Sequence, residues 1–282
     1  MASSPRPCYG EVSGLCRRAG ISRQNYYACR RVRERRLVDE ELVVELVRRE
    51  RRLQPRLGGR KLYFMLQKEF AENNISIGRD RFFEILKQAN LLVERKPCRA
   101  RTTDSRHCLP VFHNLFSGKS WSGPNQAWVS DLTYIRTEHD FLYTALITDA
   151  YSRKIVGYHI GDSLEAQGCI GALEMALKGL PAGQRPIHHS DRGIQYCCHA
   201  YVDILLSRQF TISMTEILHC YENSMAERVN GTLKDEYEMN RTFRTKEQAK
   251  AALDQAVMQY NHRRPHLSLK YRCPADVHAQ VA

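Results

Sequence analysis

Along the first ninety residues, apolar side chains recur three and four positions apart, the spacing that gathers them on one face of a helix. Val12, Leu15 and Cys16 make such a face. Ala19-Gly20-Ile21 then reads as a turn, and Ser22 as the cap of a second helix carrying Tyr26, Tyr27 and Cys29. A basic run from Arg30 to Arg36 separates this pair from a helix expected over 39–52. Helical spacing returns from Gly58, and a turn is expected over 73–78. Phe82, Phe83, Ile85 and Leu86 then mark the buried face of a helix over 80–91. Between 94 and 124 periodicity is weak, and Pro97, Pro110 and Pro124 interrupt it, so this stretch reads as a linker.

The period changes at 125. Residues 128–135, 141–149 and 154–160 are rich in β-branched and aromatic side chains, and short turns join them, as antiparallel strands require. Ala166, Ile170, Leu173, Leu177 and Leu180 share a helix face. A short strand over 186–190 follows, then a helix near 195–208, a strand near 211–215, and helices near 224–239 and 246–261. Three hairpin-linked strands followed by alternating helix and strand describe an α/β domain: a mixed five-stranded sheet with helices on both faces. This is the element order of the ribonuclease H-like fold, here preceded by an all-α, helix-turn-helix region.

Charge sharpens the division. The 282 residues carry a formal +12, but residues 1–120 hold 26 Lys and Arg against 13 Asp and Glu, and the remainder 17 against 18. Twenty-one of the 26 are Arg, whose planar fork suits phosphate and guanine edges. A polyanion partner for the N-terminal part follows. A short helix, a Gly-containing turn and a Ser-capped helix match a helix-turn-helix, which would place Arg23, Gln24 and Asn25 at base edges with Arg17 and Arg18 beside them. The alternative is an ordinary helical hairpin with a solvated basic surface. No apolar run reaches the roughly 20 residues a bilayer demands, and the start, Met1-Ala-Ser-Ser-Pro-Arg6, lacks a signal peptide's apolar stretch. The expectation is a soluble intracellular chain with no membrane partner. Ten cysteines without a C-x-x-C pair read as free thiols. His107, Cys108 and His113 fall short of a zinc set.

Three carboxylates stand out. Asp131 interrupts an apolar and hydroxylic strand, where a charge is costly unless paired or metal-bound. Asp191 ends a strand of parallel type, before Arg192-Gly193, the end at which α/β sheets place ligands. Glu227 follows after 35 intervening residues, in the first turn of a helix. Singly, each has a plain reading: an edge-strand carboxylate, a turn residue, and the Glu of a Ser224-x-x-Glu227 capping box. Together, in this order of elements, they point to a metal-binding acidic triad.

The chain resembles insertion-sequence transposases of the IS-three family, within the retroviral-integrase superfamily, and in particular the product of the family's downstream reading frame. Trp128-Val-Ser-Asp131-Leu-Thr-Tyr-Ile135, His189-Ser-Asp191-Arg-Gly-Ile-Gln-Tyr196, Cys220-Tyr-Glu-Asn-Ser-Met-Ala-Glu227 and Tyr260-Asn-His-Arg-Arg-Pro-His-Leu-Ser-Leu269 carry the resemblance, which spans residues 10–277. Glu222 stands where many members have Asp, and Cys273 where Thr is common. The resemblance implies DNA cleavage and strand transfer without a covalent enzyme intermediate. It further implies two Mg²⁺ or Mn²⁺ ions on Asp131, Asp191 and Glu227, with Asp131 as the bridging ligand. Lys234, seven residues and two helical turns beyond Glu227, matches a basic position that would face DNA; an exposed helix lysine is the alternative. Without metal and DNA the carboxylates repel one another, so Glu227 is expected to sit loosely. His188, His189, Gln195 and Tyr196 either touch DNA or pack, and the Tyr260–Leu269 motif is either structural or a backbone contact.

The implied organisation is a helix-turn-helix DNA-binding region over 1–53, a second such unit over 54–93, a basic linker over 94–124 and a ribonuclease H-like integrase core over 125–282. The implied partners are double-stranded DNA at element ends and target, further copies of the chain assembled on DNA, and the upstream-frame product, fused or bound. A bacterial cytoplasmic, nucleoid-associated setting goes with them. A DNA-binding regulator without catalysis, or a ribonuclease H-like nuclease that cuts without joining, are the competing readings.

Overall fold

The computed structural model describes residues 9–94, 109–216 and 222–280. The linker residues Arg95, Lys96, Pro97, Arg99, Arg101 and Arg106, the pair His107-Cys108, and Cys220-Tyr221 of the third motif lie outside the described residues. The chain divides into two compact units, one of residues 1–50 and 65–92, the other of 51–64 and 93–282.

The first unit is helical, built on α1 (Tyr9–Arg18), α2 (Arg23–Leu53) up to residue 50, α3 (Gly59–Glu72) from residue 65, and α4 (Arg79–Gln88). Gly20 takes φ +67° in the α1–α2 turn, a conformation that glycine adopts without a Cβ clash. Ser22 caps α2, its Oγ accepting the Asn25 amide at 3.1 Å. Val12 and Cys16 are buried, while Leu15 of the expected face is 57% exposed. The expected break at Arg30–Arg36 is absent: α2 runs unbroken for 31 residues. Arg and Glu are strong helix formers, no Gly or Pro interrupts 23–53, and Arg30 pairs with Glu34 one turn on at 2.9 Å. The basic run is therefore a helix face, with residues 31–38 all exposed. Val43, Leu46 and Val47 of α2, Phe70 of α3, and Phe82, Ile85 and Leu86 of α4 are buried. The Phe70 and Phe82 rings lie 6.0 Å apart, and Phe83 is only half-buried.

The second unit holds the sheet. Its strands are β1 (Ala127–Thr137), β2 (Phe141–Asp149), β3 (Ile155–Gly161), β4 (Ile187–Ser190) and β5 (Thr211–Met214), in the spatial order β3-β2-β1-β4-β5. β1, β2 and β3 pair antiparallel, with Asp131 opposite Leu146, and β4 and β5 continue in parallel from Ala127↔Ile187 and Ile187↔Thr211. This is the ribonuclease H-like arrangement that the order of elements implies. A sixth strand, β6 (Thr242–Phe243), adds to the far end of β1; two residues carry too little periodicity to be read from sequence.

Alternation along β1 sends successive side chains to opposite faces. Trp128 joins a core with Ile170 and Leu173 of α5 (Ala166–Lys178) and with Tyr201 and Leu205 of α7 (His199–Ser207). Ile135 joins a second core with Val229 and Leu233 of α8 (Ser224–Glu236) and with Leu253 and Tyr260 of α9 (Lys246–His262). The sheet is thus covered on both faces. The helix expected near 195–208 is instead a one-turn α6 (Ile194–Cys197) followed by α7, because Cys198 is extended (ψ 146°) and starts the second helix. A short 3₁₀ turn and α10 (Pro274–Ala279) close the described chain. On β3, a Cβ added to Gly157 would meet the Ala172 carbonyl oxygen of α5 at 2.2 Å, so that helix packs directly on strand backbone.

Residues 51–64 belong to this unit through a polar cluster. Glu236 accepts Arg264 Nε and Nη2 at 2.7 and 2.9 Å and Lys61 Nζ at 2.7 Å. The Arg56 amide donates to the Glu236 carbonyl at 3.0 Å, Tyr237 donates to Gln54 at 3.1 Å, and Phe64 stacks on Tyr271 at 4.6 Å. Tyr260, Asn261, Arg264 and Pro265 are buried, and Asn261 brackets Ile155 of β3, accepting its amide and donating to its carbonyl. The fourth motif is therefore structural at these positions. Among the described residues no helix is long and apolar enough to cross a membrane, and Cys16, Cys29, Cys169, Cys197, Cys198 and Cys273 are free.

Candidate active site

Asp131 sits mid-way along β1, on the face covered by α8, because it shares the parity of Ile135. It is half-buried. Its Oδ2 accepts the side-chain amide of Asn230 at 2.6 Å and its Oδ1 the Leu132 amide at 3.0 Å. Burial, then the charge of Asp191, and more weakly that of Glu227, push its pKa up to about 7 against the pull of those two hydrogen bonds. Asp191 follows β4 directly and folds its Oδ1 onto the Gly193 amide at 3.0 Å. A Cβ on Gly193 would lie 3.0 Å from that same oxygen, so any larger residue there would press on the Asp191 carboxylate. Glu227 lies in the first turn of α8, exposed, its pKa raised by partial burial and by Asp191. Asp191 thus acts on both other carboxylates.

The capping box does not form. Asn223, not Ser224, is the N-cap of α8, and no side chain caps it. Asn223 instead donates to the Ser130 carbonyl at 3.0 Å, tying the start of α8 to β1 one residue before Asp131. Glu227 is left free of a capping duty. Among the described residues no three His, Cys, Asp or Glu side chains stand close enough to form a cation cluster as they are. The donor set nonetheless suits a hard cation: three carboxylates, beside which the side-chain oxygen of buried Asn230 has no hydrogen-bond partner. Lys234 holds its Nζ 4.6 Å from the centre of the Tyr134 ring. Burial lowers its pKa, and Asp131 opposes that shift.

The residues around Asp191 separate by strand parity. His188 points to the α7 face, fully buried, within 2.8 Å of both the Ser130 and Tyr201 hydroxyls. Burial and its neighbour His189 lower its pKa to about 3, so it is neutral. Tyr196 is buried beside it, and Gln195 donates to the Leu164 carbonyl; these three pack. His189 faces the α8 side. One ring nitrogen is 2.8 Å from Ser213 Oγ and the other 3.1 Å from the Glu222 carbonyl, while the ring stacks on Phe116 at 4.7 Å.

Two models described as "Integrase core domain" match this unit, over residues 122–220 and 208–274. The chain is 36% identical over 267 residues to an uncharacterized 31 kDa protein of insertion element IS600 from Shigella sonnei, covering 93% of this chain and 96% of that one. It is 29% identical over 279 residues to the transposase for insertion sequence element IS629 from the same organism, covering 96% and 92%. To transposase InsF for insertion sequence IS3A of Escherichia coli K12 it is 35% identical over 162 residues, 57% of this chain and 56% of that one. The chain belongs to the IS-three family of insertion-sequence transposases.

In this family member, sequence reasoning missed Asn230 and Asn223. Asn230 lies three residues after Glu227 and so on the same helix face; a polar residue among the apolar positions of α8 was the available signal. Asn223 gave none beyond its place before the helix. The expected DNA contacts belong to the other unit. Arg17 and Arg18 end α1, and Arg23, Gln24 and Asn25 begin α2. All are exposed except Arg23, which is half-buried.

Proposed function

We propose that this chain is a DNA transposase, a polynucleotidyl transferase that cleaves and rejoins DNA strands at the ends of an insertion sequence, with Asp131, Asp191 and Glu227 as its catalytic carboxylates. The observation that carries the reading is the state of Asp131. A half-buried carboxylate on a central strand is opposed by two further acids and held only by Asn230 and a backbone amide. Such an excess of negative charge suits divalent cations, and Asp131, Asp191 and Glu227 would hold Mg²⁺ or Mn²⁺. Two such ions supply activation of a water or 3′-hydroxyl nucleophile and stabilisation of the leaving oxygen. The chain's own part is orientation. Asn230 fixes the Asp131 carboxylate, the Gly193 amide fixes Asp191, and Asn223 anchors the helix that delivers Glu227. Glu227, exposed on the first turn of α8, would complete the ligand set with the other two. Lys234, on the same helix, would meet the phosphate backbone, and Arg17, Arg18, Arg23, Gln24 and Asn25 would read duplex DNA from the helix-turn-helix. Assembly of several copies on paired DNA ends, and action as a fusion with the upstream-frame product, go with this reading.

The test is strand cleavage and joining with Mn²⁺ on DNA carrying the ends of the flanking element, wild type beside Glu227→Gln, and repeated with the upstream product fused. Activity lost in the variant with DNA binding retained is the expected result. Equal activity in both proteins would remove Glu227 from the site. Cleavage without joined products would favour a nuclease, and DNA binding with no cleavage even by the fused form would favour a regulator.

A further inference from the structure

Beside the carboxylates, within the same unit, lies a cleft of about 830 Å³, inside the range of roughly 300–1,000 Å³ typical of small-ligand sites. Val129 forms part of its wall; it is two residues before Asp131 and so on the same face of β1. Ser224 and Met225, in the same first turn of α8 as Glu227, form another part. The cleft therefore opens on the strand and the helix that carry two of the three acids.

Its lining is of two kinds. Phe116 and Trp121 offer aromatic surface, their ring centres 5.0 Å apart, with Phe116 backed by the His189 ring. The loop bearing them is fastened to the sheet edge: the Leu115 amide donates to Ser213 Oγ at 2.8 Å and the Asn114 amide to the Glu216 carboxylate at 2.8 Å. Lys119, Arg153, Lys270 and Arg272 supply four positive charges, and among the described residues none is in a salt bridge with a carboxylate. Glu222 is the one acid among the described lining residues, and its carboxylate accepts the Glu216 amide. Lys270 is held in a left-handed turn at φ 55°, exposed, so its charge is placed by the backbone rather than by packing.

Aromatic surface ringed by cations outside any salt bridge, of which Arg272 donates only to the Leu269 carbonyl and the Gln280 side chain, is the composition that binds single-stranded nucleic acid, bases stacking on rings while phosphates meet Lys and Arg. The size admits a nucleotide or two and excludes a duplex. We infer that this cleft takes an unpaired nucleotide of the DNA strand held at the carboxylates, its base against Trp121 and Phe116 and its phosphate toward Lys119 and Lys270. The inference rests on the transposase reading for the identity of the strand, and the cleft would then select ends whose terminal pairs open.

The test needs no metal and no catalysis. A single-stranded pentanucleotide of mixed sequence with a central 2-aminopurine is titrated in EDTA into the full chain carrying Glu227→Gln. The same strand in a blunt duplex is the comparison. The expected result is quenching of the 2-aminopurine in the single strand and not in the duplex. Trp121→Ala should abolish the quench and weaken binding at least about fivefold. Lys270→Asn, which keeps a residue tolerant of the left-handed turn, should lower the slope of log affinity against log salt by about 0.7. Equal quenching by the duplex, or both variants binding and quenching as the parent does, would overturn the inference. These results stand apart from the Mn²⁺ cleavage assay, which reads the carboxylates: a failure there leaves the cleft's binding to be judged by itself.

Discussion

Replacing Glu236 with Gln removes the one negative charge from a cluster of two cations. In the folded chain the carboxylate takes both forks of Arg264 and the ammonium of Lys61. The Arg264 side chain is 6% exposed, those of Glu236 and Lys61 22% and 17%. Removing one partner from a fully buried ion pair costs about 3–5 kcal/mol, mostly because the remaining charge is left uncompensated. The residual exposure lets water reach Lys61 and screens part of that penalty, so the expected loss for Glu236→Gln is about 2–3 kcal/mol. Lys61→Met should cost less, since Arg264 still holds both oxygens. The assay is urea unfolding followed by tryptophan emission. Trp121 and Trp128 are the two tryptophans of the chain, and both lie in the second unit, so the signal reports that unit alone. The pH dependence is a second check. Burial would raise the Glu236 pKa, but Arg264 and then Lys61 more than reverse this and hold it below the ordinary carboxylate range. A depressed folded pKa means the stabilisation is complete above the unfolded value of about 4.3 and is lost as pH falls through the folded one. The gap between wild type and Glu236→Gln should be full at pH 7 and shrink below about pH 4. A loss under about 1 kcal/mol at pH 7, or a gap that does not close in acid, would refute the assignment of this cluster as what holds residues 51–64 to the core.

Three further outcomes are expected. Asn230→Ala, which frees the Asp131 carboxylate, should lower Mn²⁺-supported cleavage about 10- to 100-fold, the usual cost of removing a group that orients a metal ligand, with end binding unchanged in a gel-shift assay. Mg²⁺ should raise the thermal midpoint of the wild type and not of Asp131→Asn, because an ion bound only by the folded site stabilises it by mass action; equal shifts in differential scanning fluorimetry would remove Asp131 as a ligand. Asp149→Ala should destabilise the second unit by about 2–4 kcal/mol, since fully buried Asp149 accepts the Asn125 amide and the Ser152 amide and hydroxyl, each at 2.7 Å; urea unfolding measures it.

Much of this was open to the sequence. The strand run from Trp128, the spacing of Asp131, Asp191 and Glu227, and the family motifs placed the acids on a strand, at a strand's C-terminal end and at a helix start, where the structure has them. Local chemistry was equally readable: Ser22 caps a helix because its own side chain reaches an amide three residues on. One local reading failed to a competing local term. Arg30–Arg36 looked like a separator because charge runs often are, yet Arg is a good helix former and α2 continues through it. The capping box that Ser224-x-x-Glu227 also allowed, set aside in favour of the triad, does not form: Asn223 begins the helix and reaches across 93 positions to β1.

Period, charge and motif are properties of neighbouring residues, so the sequence by itself determined the class of fold and the basic N-terminal part, and it singled out the three acids that we propose as the triad. Which residues meet from far apart is set only when the sheet closes. Strand parity sends His188 to the apolar α7 face and His189 to the α8 side, though they are adjacent in the chain. Asn230 reaches Asp131 across 99 positions, and Glu236 gathers Lys61 and Arg264 from 175 positions before it and 28 after. No periodicity encodes such pairings, because the free energy that selects them is burial and charge compensation in three dimensions, which exists only in the packed chain.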